Sequence, residues 1–346
     1  MNLQGKRAAI VTLGCKVNQY ETDAMYGMLK EAGVTMVDPK EAADIYIVNT
    51  CSVTNMAERK SRQMLHRAKK KNLDVVVVAV GCYAQVGKEE LSKDTNIDLI
   101  IGNNKKKDLI HILEEHMGEK ESAAESIEVI DIAHDQEYES LHVEQLKEHT
   151  RAYIKVQDGC NQFCSYCIIP YSRGRVRSKP LEELTREART LAASGYREIV
   201  LTGINLSCYG QDSGLGLWDA VEAVCGLPEV ERVRLGSLEP EQMELPVLER
   251  LARQEKLCPQ FHLSLQSGCD ATLKRMNRHY TAAEYESIVN NIRGVFDNPS
   301  VTTDMMVGFA GETPEDFEES LNFARKIGFA KVHVFAYSRR PGTAAD

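Results

Sequence analysis

Three cysteines, Cys160, Cys164 and Cys167, lie close together in the stretch QDGCNQFCSYC. This spacing places three thiolates in one loop, which is typical of a metal centre. A structural zinc site takes four protein ligands, and no nearby histidine completes this set. Three thiolates suit a 4Fe–4S cluster that leaves one iron open to a small molecule. A chance grouping of three thiols is the less favoured alternative.

A regular alternation of strands and helices begins just before this loop and continues to the end of the sequence. Strands are predicted at 151–157, 197–203, 230–237, 261–266, 301–308 and 331–337. Helices are predicted at 181–194, 217–226, 244–253, 281–296 and 315–327. This order indicates a partial (β/α)6 barrel without its last helix, and such barrels carry their chemistry in the loops after the strands.

The first part of the chain has the pattern of a doubly wound α/β domain, with buried parallel strands between amphipathic helices. Its strands are predicted at 7–14, 43–49, 74–81 and 97–102, and its helices at 19–32, 54–71, 83–93 and 105–117. We therefore predict three regions. They are an N-terminal domain at 1–117, an acidic connector at 118–149 with one candidate strand at 127–132, and a barrel domain at 150–346.

Three further cysteines, Cys15, Cys51 and Cys82, each follow a predicted strand of the N-terminal domain. The carboxyl ends of strands in an open α/β sheet line the crevice where ligands bind. Taken singly, each cysteine is more typical of a small core residue. Their shared placement favours a second three-cysteine cluster. The other four show no common spacing and are predicted to be incidental thiols: Cys208, Cys225, Cys258 and Cys269.

Charge and hydropathy narrow the class of protein. The chain has 42 Lys and Arg against 51 Asp and Glu, a net charge of −9, so any nucleic-acid contact needs a local basic patch. No apolar run approaches the roughly 20 residues of a membrane span, and the N-terminus has no apolar signal segment. We expect a cytoplasmic protein with no membrane contact. Its ten cysteines are expected to be reduced thiols, metal ligands or redox-active groups rather than a disulfide framework.

Together with these cysteines, several motifs resemble the radical S-adenosylmethionine (SAM) methylthiotransferases over nearly the whole chain: TLGCKVNQYET, VNTCSVT, GCYAQ, IIPYSRGRVRS, LTGIN, LSLQSG, VGFAGET and HVFAYSRRPGT. The first and fourth are most similar to the MtaB-type subfamily, which acts on N6-threonylcarbamoyladenosine next to the tRNA anticodon. The subfamily has two sister groups. One acts on isopentenyladenosine in tRNA, and the other acts on a ribosomal protein. The family also has a C-terminal RNA-binding TRAM domain, which we expect to be absent because the sequence ends at Asp346.

The resemblance implies a specific chemistry for the two cysteine sets. The 4Fe–4S cluster at Cys160, Cys164 and Cys167 would bind SAM and reduce it to a 5′-deoxyadenosyl radical. That radical would remove hydrogen from carbon 2 of the adenine. An auxiliary 4Fe–4S cluster at Cys15, Cys51 and Cys82 would deliver sulfur, and a second SAM would methylate it. The implied partners are a tRNA anticodon stem-loop and an electron donor such as flavodoxin or ferredoxin.

The barrel loops supply candidates for SAM binding, since each follows a predicted strand: Gly203, Asn205, Ser237, Glu239, Gln266, Ser267, Asp304 and Gly308. Turns and helix caps are the alternative for each of them. Arg173, Arg175 and Arg177 alternate with other residues and are candidates for binding substrate phosphates or a carboxylate. A solvated loop is the alternative there, and a solvated face is favoured for the basic helix at 54–71.

Two rival functions stay open at this stage. The same chemistry could act on isopentenyladenosine or on a ribosomal protein. In the other rival, the chain is a non-catalytic iron–sulfur or zinc protein that binds RNA.

Overall fold

The computed structural model describes residues 3–118, 126–143 and 150–346. The chain divides into two compact units, one of residues 1–148 with 168–175 and the other of residues 149–167 with 176–346. The division differs from the predicted domains at residues 168–175. These residues are predicted to belong to the barrel domain, but their short helix packs within the first unit.

The strands of the first unit are β1 Arg7–Thr12, β2 Thr35–Met36, β3 Ile45–Thr50, β4 Val76–Gly81, β5 Leu99–Ile101 and β6 Ser126–Glu128. Its helices are α1 Lys16–Glu31, α2 Asn55–Lys71, α3 Cys82–Val86, α4 Lys88–Leu91, α5 Leu109–Gly118 and α6 Ile169–Arg173. The strands form one parallel sheet in the order β2-β1-β3-β4-β5-β6.

Successive residues of the central strands point to opposite faces, and helices cover both faces. On one face Ile45 and Ile47 of β3 pack in a core with residues of α1 and α5. On the other face Tyr46 and Val48 pack in a core with Leu65 of α2. Burial on both sides explains the nearly continuous apolar strand sequences and confirms the doubly wound α/β prediction.

The strands of the second unit are β7 Ala152–Asp158, β8 Arg177–Ser178, β9 Glu198–Gly203, β10 Arg232–Leu235, β11 Ser237–Leu238, β12 Gln260–Leu263, β13 Ser300–Val307 and β14 Lys331–Ala336. Its helices are α7 Leu181–Ala193, α8 Leu217–Cys225, α9 Leu245–Ala252, α10 Asp270–Arg275, α11 Ala282–Val295 and α12 Pro314–Ile327.

These strands form two sheets, β10-β9-β7-β8 and β11-β12-β13-β14. The third predicted barrel strand is divided at Gly236. Its first part, β10, pairs with β9, and its second part, β11, pairs with β12. All pairs are parallel except that of β7 with the short β8. The six predicted strands therefore follow one another as in a partial (β/α)6 barrel, which confirms the fold prediction.

Three local predictions need correction. The helix predicted at 83–93 is interrupted at Gly87, where a Cβ atom would lie 2.5 Å from the Tyr83 ring. The helix predicted at 105–117 begins as a 3-10 turn and becomes α5. Strand β6 lies in the predicted connector but pairs with β5 in the first sheet. The predicted connector residues 119–125 and 144–149 lie outside the described residues.

No helix in the described part of the chain is long and apolar enough to cross a membrane.

Candidate functional site

The first cysteine set lies at the carboxyl edge of three neighbouring strands. Cys15 is the residue before α1, Cys51 follows β3, and Cys82 begins α3 directly after β4. A Cβ atom at Gly14 would lie 3.1 Å from the Cys51 sulfur, so the Cys15 loop packs directly on Cys51. Burial raises the pKa of the Cys51 thiol to about 11, and the nearby Cys82 and Cys15 thiols add to the rise. The structure thus brings these three thiols together.

A buried arginine contacts this first set. Arg173 has no exposed side-chain surface, and its Nε donates a hydrogen bond to Cys82 Sγ at 3.2 Å. Its Nη1 donates to Glu21 Oε1 at 2.8 Å, and its Nη2 donates to Asn18 Oδ1 at 2.7 Å. The Cys15 thiol in turn donates to Asn18 Oδ1 at 3.7 Å. Arg173 is therefore placed beside the thiols.

Further buried polar groups surround the same residues. Lys106 Nζ lies 3.4 Å from Glu21 Oε2 and 3.6 Å from Glu139 Oε2, and all three side chains are fully buried. Asn103 accepts a hydrogen bond from Lys106 at 2.6 Å and places its own Nδ2 3.8 Å from Cys82 Sγ. Sequence reasoning missed these residues because Lys106 lies in an unremarkable run of three lysines.

The second cysteine set lies in the loop between β7 and α6. Cys160, Cys164 and Cys167 are all half-buried. The backbone N–H of Gln162 donates to Cys160 Sγ at 3.5 Å, and Asn205 Nδ2 lies 3.8 Å from the same sulfur. Burial raises the pKa of Cys160 to about 11. Because thiols with such pKa values are protonated at neutral pH, a metal must displace protons to bind here.

Both donor sets fit iron–sulfur chemistry, since each offers three thiols with polar N–H groups directed at sulfur. Within residues 3–118, 126–143 and 150–346, no three or more His, Cys, Asp or Glu side chains form a group that could hold a metal ion. In a four-iron cluster each thiolate binds a different iron atom, so its ligands stand farther apart than those of one ion.

Gln157, which sequence reasoning missed, joins the cysteine loop to the loop after β9. Its Nε2 donates to the carbonyl oxygens of Asp158 and Gly159, both at 2.7 Å. Its Oε1 accepts the backbone N–H of Asn205 at 2.7 Å. A Cβ atom at Gly203 would lie 2.9 Å from this same Oε1, so Gly203 provides the space that Gln157 occupies.

Two of the predicted SAM-binding side chains have a buried amide oxygen to which no group in the described part of the chain donates a hydrogen bond. Within the described residues, neither Asn205 Oδ1 nor Gln266 Oε1 accepts a hydrogen bond. Gln266 also has a φ of 68°, a conformation that side-chain-bearing residues seldom adopt. A buried amide oxygen without a donor is costly, so both atoms are suited to an amino or hydroxyl group of a ligand.

Glu239 and Arg278 form an ion pair beside Cys164. Arg278 contacts both carboxylate oxygens of Glu239, and its Nη1 donates to Cys164 Sγ at 3.4 Å. It also donates to the Ser264 carbonyl at 3.1 Å and to the Tyr280 hydroxyl at 3.2 Å. Burial raises the pKa of Glu239, and Arg278 offsets part of that rise. Sequence reasoning missed Arg278, which lies far along the chain from the cysteines.

The other predicted SAM ligands have contacts of their own. Ser237 is exposed in β11, and Asp304 lies 3.3 Å from His262 Nε2. The Ser267 hydroxyl hydrogen-bonds Ser320 at 2.8 Å and accepts the Cys269 N–H. Gly308 has a φ of 70° and donates its N–H to Glu312. Their role in binding SAM stays a prediction.

The remaining basic candidates differ in exposure. Arg175 is exposed, whereas Arg177 is buried in β8, opposite Asp158 of β7. On α2, Arg62 pairs with Glu90, and Lys69 pairs with Asp98 at 2.7 Å. Part of the basic face of α2 therefore stabilises the first unit. Substrate binding by the arginines at 173, 175 and 177 stays a prediction.

Two family models match the chain. The model described as Uncharacterized protein family UPF0004 matches residues 7–102, and the Radical SAM superfamily model matches residues 154–324. Among solved structures, the radical S-adenosylmethionine methyltransferase TsrM from Kitasatospora setae superposes with a TM-score of 0.72. It is 14% identical, covering 98% of this chain and 74% of that one, and so shows the fold alone. The barrel and its cysteine loop thus define a radical SAM protein.

Curated relatives then give the family. The chain is 40% identical to the threonylcarbamoyladenosine tRNA methylthiotransferase MtaB of Aquifex aeolicus, over 98% of this chain and 82% of that protein. It is 35% identical to the tRNA-2-methylthio-N(6)-dimethylallyladenosine synthase of Pelotomaculum thermopropionicum, over 98% of this chain and 77% of that protein. The chain belongs to the radical SAM methylthiotransferase family, of the MtaB type, as its motifs predict.

Proposed function

We propose that this protein converts N6-threonylcarbamoyladenosine next to the anticodon of tRNA to its 2-methylthio derivative. The observation that carries the proposal is the convergence of Cys15, Cys51 and Cys82 in a chain whose barrel has a separate three-cysteine loop. The 40% identity to an enzyme named for this nucleoside supports the choice of substrate.

In the barrel, Cys160, Cys164 and Cys167 would hold a 4Fe–4S cluster. With SAM bound, that cluster would supply one electron, which no side chain can supply, for cleavage of SAM to methionine and a 5′-deoxyadenosyl radical. Gln157 holds the loop after β9 against the cysteine loop, which positions Asn205 beside Cys160. The open acceptors of Asn205 and Gln266 would bind donor groups of SAM.

The ion pair of Glu239 and Arg278 serves the same site in a different way. Arg278 places a fixed positive charge 3.4 Å from the Cys164 sulfur, where it offsets the negative charge of a thiolate. Glu239 holds the guanidinium in that position and is itself a candidate for contact with SAM. We therefore assign Glu239 and Arg278 to positioning at the barrel cluster.

In the first unit, Cys15, Cys51 and Cys82 would hold the auxiliary 4Fe–4S cluster, which would supply sulfur. A second SAM would provide the methyl group. The exposed Arg175 and the exposed basic residues of α2, Arg59 and Lys60 among them, would contact the phosphates of a tRNA stem-loop. An electron donor such as a flavodoxin or a ferredoxin would supply the electron.

Nucleoside mass spectrometry of bulk tRNA tests the proposal. We would delete the gene, digest total tRNA and then add this 346-residue chain back. The expected result is loss of 2-methylthio-N6-threonylcarbamoyladenosine, its replacement by the unmethylthiolated nucleoside, and recovery on add-back. Add-back of a Cys51→Ala chain is the matched control and should not restore the nucleoside.

Two other outcomes would point to a different substrate. Loss of 2-methylthio-isopentenyladenosine instead would favour the sister tRNA substrate. No change in either nucleoside would contradict a tRNA substrate and leave a ribosomal protein as the alternative within the same chemistry.

A further inference from the structure

We propose that Arg173 is a positioning residue that raises the reduction potential of the auxiliary cluster through its hydrogen bond to the Cys82 sulfur. The inference rests on the proposed function, since it requires a cluster at Cys15, Cys51 and Cys82. It concerns a residue for which the sequence indicated only a role in substrate binding. Arg173, Cys82, Glu21 and Lys106 all belong to the first unit of the chain.

The guanidinium of Arg173 contacts a cysteine sulfur on one side and a carboxylate on the other. Arg173 Nε is 3.2 Å from Cys82 Sγ, a normal distance for an N–H group that donates to sulfur. The opposite edge of the same guanidinium contacts both oxygens of Glu21, at 2.8 Å and 3.2 Å. Because guanidinium is planar and its donors are fixed relative to one another, the contact with Glu21 aims Nε at Cys82.

Glu21 is in turn held in place by a second buried cation. Its carboxylate also meets Lys106 Nζ at 3.4 Å, and Lys106 meets Glu139 at 3.6 Å. Two cations and two anions are therefore buried together, and each carboxylate faces a cation. Because each of these buried carboxylates has a buried cation as its ion-pair partner, another arrangement would leave a buried charge unpaired, and this favours a single position of Glu21.

The positive charge of Arg173 would favour the reduced form of the cluster. A thiolate-bound cluster becomes more negative when it takes up an electron. A buried positive charge that donates a hydrogen bond to a ligand sulfur stabilises the reduced form more than the oxidised form. Net charge and hydrogen bonds to sulfur are among the factors that set the potentials of such clusters. Asn103 adds a weaker amide contact to the same sulfur, at 3.8 Å.

The test is a potentiometric titration of the auxiliary cluster, followed by electron paramagnetic resonance. The parent chain carries Cys160→Ala, Cys164→Ala and Cys167→Ala, so that only the auxiliary cluster contributes to the signal. The key variant adds Arg173→Met together with Glu21→Gln, which removes the guanidinium without leaving the Glu21 charge unpaired. We expect the midpoint potential to shift to a more negative value while four irons per chain are retained.

Two further variants separate this effect from a general structural one. Arg173→Lys keeps the charge, but a single ammonium cannot reach Glu21 and Cys82 with the same fixed geometry, so an intermediate shift is expected. Arg189→Met removes an exposed arginine of α7 in the second unit and should leave the potential unchanged.

The outcomes distinguish this inference from the proposed function. If the double variant retains four irons and its midpoint equals that of the parent chain, the role of Arg173 is wrong and the cluster stands. If the parent chain loads no iron at Cys15, Cys51 and Cys82, the auxiliary cluster is wrong and this inference is overturned with it.

Discussion

The two cysteine sites of this protein are built in opposite ways. In the second unit, Cys160, Cys164 and Cys167 belong to one loop and are close in space because they are close in sequence. In the first unit, Cys15, Cys51 and Cys82 come from three loops, and the pairing of β1 with β3 and of β3 with β4 brings them together.

The two sites share an arginine–glutamate pair, but the glutamate is buried to a different extent in each. In both, an arginine approaches a cysteine sulfur and is paired with a glutamate: Arg278 with Glu239 in the second unit, and Arg173 with Glu21 in the first. Glu239 is partly exposed, as its proposed contact with SAM requires. Glu21 is fully buried and also pairs with Lys106. The site at Cys160, Cys164 and Cys167 can therefore form within one loop. The site at Cys15, Cys51 and Cys82 depends on the fold of the whole first unit.

The largest effect that tests this comparison is on iron content. Replacing either cysteine set with alanine should reduce the iron content from about eight to about four atoms per chain, because each set is proposed to hold one four-iron cluster. Iron and sulfide analysis of the purified protein measures this. Cys258→Ala lies outside both sets and should leave the count unchanged. An unchanged count after loss of Cys15, Cys51 and Cys82 would contradict the second cluster.

The next largest effect should come from the buried charges of the first unit. Lys106→Met leaves Glu21 and Glu139 short of a buried cation, so we expect the free energy of unfolding of the metal-free protein to fall by about 3–5 kcal/mol. Urea titration measures it. The matched control is Lys326→Met, which removes an exposed partner of Glu286 and should cost less than about 1 kcal/mol. Equal losses for the two variants would contradict a special role for the buried network.

A smaller effect is expected from the turn that places Cys82. Gly81 has a φ of 93°, and a Cβ atom there would lie 2.4 Å from Asn49 Oδ1. Gly81→Ala should therefore cost about 2–4 kcal/mol through backbone strain and overpacking. Gly195→Ala has a similar φ of 100° but open space around it, so only the strain of about 1–2 kcal/mol remains. Denaturant unfolding compares the two, and equal costs would show that the contact with Asn49 does not matter.

The smallest effect concerns pH and the barrel. Burial raises the pKa of Glu198, but hydrogen bonds from Arg234, Arg232 and Arg151 lower it by more, so the pKa in the folded state is below the ordinary value. The carboxylate therefore stabilises the fold at neutral pH, and this contribution is lost as the pH falls through the folded pKa. Glu198→Gln should reduce stability by about 1–2 kcal/mol at pH 7.

The difference between wild type and Glu198→Gln should shrink progressively below about pH 4, near the ordinary pKa of a glutamate. Thermal unfolding over a series of pH values measures it. A difference that does not depend on pH would show that the shape of the residue, and not its charge, is responsible.

Much of the fold follows from the sequence because its signals are local. Strands buried on both faces appear as apolar runs, as in β4, and helix starts carry caps such as Thr313 before Pro314 in α12. The predicted elements match the structure in type and order. One difference arises at Gly87, where the helix predicted at 83–93 is divided into α3 and α4.

The sequence by itself determined the two cysteine sets, the alternation of strands and helices, and the family. Only the tertiary structure decided which charges meet the thiols. The spacing of Arg173 suggests an exposed basic stripe, yet it is buried against Glu21 and Cys82. Arg278 reaches Cys164 from a distant part of the chain. The physical reason is that a run of neighbouring residues fixes ligands within one loop, whereas partners far apart in sequence are chosen by strand order, register and burial.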